Sequence, residues 1–165
     1  MPDHKSFAYT FENLTNVVDK LVEQLGLGKF SLYVMDYGAP IGYRLALRRP
    51  DQVQALIVQN GNAYDEGLRE FWDPIKKYWA DSRPENRTAL LFLVEPKSTR
   101  WQYENGVSDH TLLDPTTWLV DQGDPDQPGP PTKLWDRPGN RDIQMDLFHD
   151  YGTNVPLYPD FQNAW

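Results

Sequence analysis

The chain has 165 residues and carries 24 acidic against 16 basic side chains, a formal charge of −8 at neutral pH. That balance argues against a nucleic-acid surface or an anionic membrane surface, since both require a basic face that displaces counterions. The absence of cysteine excludes disulfide scaffolds, thiolate zinc sites and cysteine nucleophiles together, and leaves His4, His110 and His149 as the only imidazoles.

From Thr10 to Leu25 the apolar residues Phe11, Leu14, Val17, Val18, Leu21, Val22 and Leu25 recur at helical spacing, with Thr10 placed to cap the first turn. Gly26-Leu27-Gly28 stops this helix, and Lys29 to Met35 reads as a strand rich in aromatic and branched residues. A break at Asp36-Tyr37-Gly38 leads into a second helix from Ala39 to Arg49, which Pro50 ends. Val53 to Val58 is a mostly apolar run, the pattern of a parallel strand covered on both faces, and Asn60-Gly61-Asn62 closes it. Helix, strand, helix, strand with short connections predicts an α/β class.

Beyond residue 62 the character changes, because all six tryptophans lie there and no further strand of similar quality follows. Helices are expected over Glu66 to Trp79, Pro84 to Leu93, Ser98 to Glu104 and Arg141 to His149. The stretch 121–139 is expected as a surface loop, since five prolines and three glycines fall between Gly123 and Gly139. Two regions result: 1–62 as an α/β core and 63–165 as a mainly helical region. No run approaches the roughly 20 apolar residues of a membrane span. The start lacks the apolar run of a secretory signal, so a soluble cytoplasmic protein is expected.

The chemistry concentrates in Val34-Met35-Asp36-Tyr37-Gly38-Ala39-Pro40-Ile41-Gly42. A side chain on a sharp turn between strand and helix projects at the carboxyl end of the sheet, where the first N–H groups of the helix stabilise negative charge. Gly38 and Gly42 would let the helix approach the strand. On pattern alone Asp36 is either a reactive carboxylate or simply the cap of the helix.

This segment resembles the nucleophile elbow of the α/β-hydrolase fold, in the aspartate-nucleophile branch that includes haloalkane dehalogenases and epoxide hydrolases. Asp36-Tyr37-Gly38 matches the Asp-Trp-Gly common there, and Arg44 to Pro50 followed by Val53 to Asn60 continues in register. The resemblance implies Asp36 as the nucleophile and the Tyr37 N–H as an oxyanion donor. The departure is Tyr37 itself, which replaces the tryptophan whose indole N–H meets the leaving halide in dehalogenases. A helical cap is implied after the second strand, with tyrosines that hydrogen-bond an epoxide oxygen. Asp150-Tyr151-Gly152-Thr153-Asn154 is similar to the Trp-Tyr-Arg-Asn type motif, with Gly152 in place of arginine, making Tyr151 one candidate and Tyr78 the other. Packing in the core is the alternative for both.

The family's histidine base and its acid would sit after strands that follow the cap. Asn60 occupies the place where some relatives carry the acid, and none of the three histidines resembles the base. A truncated chain unable to complete turnover is therefore expected, self-associating through exposed sheet edges. The substrate implied is a small apolar organic molecule, with no cofactor and no metal. Asp121, Asp124 and Asp126 lack a calcium-loop pattern, and no Gly-x-Gly-x-x-Gly or Gly-Lys-Ser loop supports a nucleotide. The competing reading is a non-catalytic α/β module for binding or interaction.

Overall fold

The computed structural model describes residues 2–114, 116–122 and 138–164. Helix α1 (Phe11–Gln24) starts where Thr10 leaves extended backbone and its hydroxyl accepts the Asn13 N–H at 3.1 Å. The Phe11 N–H is taken by the Asp150 carboxylate at 2.7 Å, so the opening of α1 is tied to a residue far along the chain.

Strands β1 (Phe30–Met35) and β2 (Val53–Gln59) pair in parallel, joined by the crossover helix α2 (Gly38–Arg48). The register sets Leu32 beside Leu56, Tyr33 beside Ile57, Val34 beside Val58 and Met35 beside Gln59. Side chains alternate along a strand, so Leu32, Val34 and Leu56 turn to one face while Tyr33, Met35 and Ile57 turn to the other. A Cβ on Gly42 would lie 2.4 Å from Val34 Cγ1, so α2 can sit this close to β1 only because position 42 has no side chain. Gly38, expected to share that role, has open space around it.

The expectation that β2 is covered on both faces is corrected. Tyr33 is 63% exposed and Ile57 54%, because nothing among the described residues lies against their face. On the covered face, Val34, Ala39 and Tyr43 form an apolar cluster with Tyr158 and Phe161. Arg48 at the end of α2 and Arg49 just after it reach Glu12 and Asp19 on α1 and hold the two helices side by side.

The expected helix from Glu66 to Trp79 is divided into two 3-10 turns, Asp65–Gly67 and Glu70–Trp72, and α3 (Asp73–Ala80). Pro74 explains the break, because a proline lacks an N–H and favours the first turn of a new helix. The expected helix from Pro84 to Leu93 likewise becomes α4 (Pro84–Thr88) and a 3-10 turn, Leu91–Val94. Helices α5 (Pro96–Glu104) and α7 (Asn140–Asp150) match their expected segments to within two residues.

Helix α6 (Thr116–Gln122) falls where only turn formers were evident, and it carries Asp121 and Gln122, expected in the loop, into a helix. Asp114 starts it by accepting the N–H and the hydroxyl of Thr116 at 2.9 and 2.8 Å. The rest of the expected loop, up to residue 137, lies outside the described residues. After α7 the chain makes a 3-10 segment, Tyr151–Leu157, and α8 (Tyr158–Asn163), which packs against α2.

Candidate active site

Asp36 directly follows β1 and has φ +48°. A non-glycine residue holds that left-handed conformation at a cost of about 1–3 kcal/mol, and such strain persists where the surroundings enforce it. Its carboxylate is exposed, and Oδ1 accepts the Tyr37 N–H at 2.6 Å, while its backbone carbonyl accepts from Ala39 at 3.0 Å. The carboxylate therefore sits at the positive end of α2.

Asn60, which ends β2, adopts the same conformation, with φ +49°. The register that sets Met35 beside Gln59 brings these two turns next to each other. Both line a cavity of about 560 Å³. Its remaining wall is strongly aromatic, with Tyr37, Phe71, Trp72, Trp101, Phe148 and Tyr151.

Tyr37 packs edge-on to Phe11 at 5.3 Å, and its hydroxyl is shielded from solvent without a hydrogen-bond partner among the described residues. Burial first, then the Asp36 charge beside it, holds this phenol well above its ordinary pKa, so the O–H stays protonated. Tyr151 is buried against Phe11, Trp72 and Trp79. Burial raises its pKa as well, with the neighbouring Tyr158 phenol adding to the rise, and the Tyr158 oxygen accepts from Asn62 Nδ2 at 3.1 Å.

Of the residues singled out from sequence, Asp36, Tyr37 and Tyr151 come together around this cavity. Tyr78 does not line it: it is buried beneath α3 with Ile75, Leu90 and Met145, and its hydroxyl accepts from Arg87 at 3.2 Å. None of the three histidines lines it either. His4 faces Asp146 at 3.6 Å, while His110 and His149 are exposed. Gly152 lies under the Trp79 indole, where a Cβ would meet the ring at 2.9 Å, so no side chain projects from that position.

Sequence reasoning missed the Asn62–Tyr158 pair, and the wall residues Phe71, Trp101, Gln144 and Phe148. The one signal for that wall was the clustering of tryptophans beyond residue 60. Among the described residues no group of three or more potential ligands could hold a metal ion, and no helix is long and apolar enough to cross a membrane.

The sequence profile of the alpha/beta hydrolase fold matches residues 2–132. Over 162 residues the chain is 35% identical to an uncharacterized hydrolase of Saccharomyces cerevisiae, covering 96% of this chain and 52% of that protein. Over 53 residues it is 38% identical to a haloalkane dehalogenase of Mycolicibacterium paratuberculosis, covering 32% of this chain and 18% of that protein. The chain therefore spans about half the length of the yeast relative. Parallel strands flanked by helices, a strained residue at the strand-to-helix turn and the profile match agree: this chain belongs to the α/β-hydrolase fold family, of which it forms a partial fold.

Proposed function

We propose that the chain presents the nucleophile of a hydrolase of the haloalkane dehalogenase and epoxide hydrolase-like branch, with Asp36 as that nucleophile. The observation that carries this reading is the Asp36 carboxylate, which accepts the Tyr37 N–H, belongs to a residue at φ +48° and lines an aromatic cavity. The partial similarity to a haloalkane dehalogenase supports it.

An Asp36 oxygen attacks a saturated carbon, and an ester C–O bond forms as the carbon–halogen or ring carbon–oxygen bond breaks. A halide leaves with its electron pair, whereas an opened epoxide oxygen takes a proton from a water molecule entering the open cavity, which leaves as hydroxide. Tyr151 lines the same cavity, while the Tyr37 hydroxyl is shielded from it. Serine in place of aspartate would form an ether that water does not readily cleave. The ester instead has a carboxyl carbon open to water, and the Tyr37 N–H that binds Oδ1 lies where the oxyanion of that second step develops.

Release requires a base that activates water, and no histidine of this chain stands at the cavity. The chain by itself accordingly stops at the ester. Intact-mass measurement after exposure to an epoxide is expected to show one stable adduct mapping to Asp36, absent in Asp36→Asn. An adduct on another residue, or none, would sink the reading. The same missing histidine favours a second reading, binding without chemistry, and that reading predicts saturable ligand binding that survives Asp36→Ala with no adduct in the parent protein.

A further inference from the structure

A second cavity, of about 450 Å³, adjoins the first. The two share Phe71, Leu93, Trp101 and Gln102 as a common wall, and Phe92 lies on the far side. Phe71 comes from the 3-10 turn before α3 and Trp101 from α5, and their rings stack at 5.9 Å with an interplanar angle of 7°. Each remains about half exposed, Phe71 at 46% and Trp101 at 48%. Two large flat side chains held parallel, half exposed and lining both cavities, form a surface that an aromatic ring covers well.

Of the polar side chains around the second cavity, Ser98 and Lys97 have partners, and the third, the Gln102 amide, is uncharged. The Ser98 hydroxyl donates to the Phe92 carbonyl at 2.6 Å, and Lys97 faces Glu95 at 3.7 Å. Nothing there calls for a charged tail.

We propose that the two cavities form one channel divided by the Phe71–Trp101 stack, and that its ligand carries an uncharged aryl group which packs on that stack while its reactive end lies at Asp36. The placement of the reactive end rests on the reading of Asp36 as nucleophile. The aryl subsite stands on the cavities and the rings.

The test separates the two. Benzyl glyceryl ether and methyl glyceryl ether, the ring-opened and unreactive diols of the corresponding glycidyl ethers, are titrated by calorimetry. The benzyl compound is expected to bind more tightly by roughly tenfold or more, since one aromatic pair alone is worth about that factor. Trp101→Ala and Phe71→Ala should each erase most of that preference and Trp101→Phe should retain it. Leu112→Ala, a control at a side chain 82% exposed and outside both cavities, should leave it unchanged. Because Trp101 and Phe71 are half exposed, their truncation should leave the fold intact, as circular dichroism would verify.

Equal affinity for the two diols, or a preference that survives both alanine variants, would overturn the aryl subsite. In parallel, benzyl and methyl glycidyl ether are compared by intact mass. Faster adduct formation with the benzyl epoxide supports the channel. Loss of all adducts with the diol preference intact overturns Asp36 alkylation and leaves the aryl subsite standing. Equal alkylation together with equal diol binding overturns the subsite and leaves Asp36 standing.

Discussion

The two faces of the small sheet share strands, register and composition, yet they have opposite fates. Toward α2, Val34 is 5% exposed and packs with Tyr43, Tyr158 and Phe161, and only Val58 beside it stays 45% exposed among the residues that the register places on this face. On the other face, Tyr33, Met35 and Ile57 stand at least half exposed. Apolar content made both faces fit for burial, and the difference is which helices the chain places against them. Stability, strain and chemistry accordingly lie on one side.

The largest effect should come from Phe161→Ala, which empties the space beside Tyr43 at 5.2 Å and beneath the Arg44 guanidinium at 5.9 Å. Loss of about 4 kcal/mol is expected, read as a fall in the urea midpoint. Gly42→Ala should follow, costing about 2 kcal/mol, because its methyl group overlaps Val34 and α2 must move away from β1. That shift would also loosen the turn at Asp36, so alkylation should slow in the same variant.

A pH series probes the same side. Tyr37, Tyr151 and Tyr158 all have raised pKa values, with burial as the first cause. Above the ordinary phenol value of about 10, the unfolded chain releases protons that the folded chain keeps. The stability these groups contribute is therefore complete below that value and falls as the pH rises beyond it. Urea midpoints measured on either side of about pH 10 should show the decline, and Tyr151→Phe should flatten it. A decline unchanged by Tyr151→Phe would remove that phenol from the account. The smallest effect belongs to the open face: Ile57→Lys should change stability by no more than about 0.5 kcal/mol, and a larger loss would mean that this face is covered in solution.

Local features were legible in the sequence. The periodicity of α1, the stop at Pro50 and the strand-turn-helix order around Asp36 each reside in a few consecutive residues, and the structure places those elements within two residues of their expected bounds. The features that escaped join distant positions, such as the Asp150 carboxylate on the Phe11 N–H and the Asn62 amide on the Tyr158 hydroxyl. Tyr78 and Tyr151 make the point within a single residue type. Both are buried tyrosines of the helical half, but one lies beneath α3 bonded to Arg87 and the other at the cavity wall, and only the packing of α3 against α7 separates them. The cavity wall was hidden for the same reason, since Phe71, Trp101 and Phe148 come from three elements with no shared motif.

The bare position at Gly152 has a consequence for descent. The Trp79 indole occupies its space, donates Nε1–H to the Phe148 carbonyl at 2.7 Å and stacks on Tyr151 at 6.1 Å, so positions 79 and 152 behave as one heritable unit. A lineage that restores a side chain at 152 has to accept a smaller residue at 79, and with it a Tyr151 that has lost one of its supporting rings. Among close homologues, the two positions should therefore change together, with the bulky residue at one or the other.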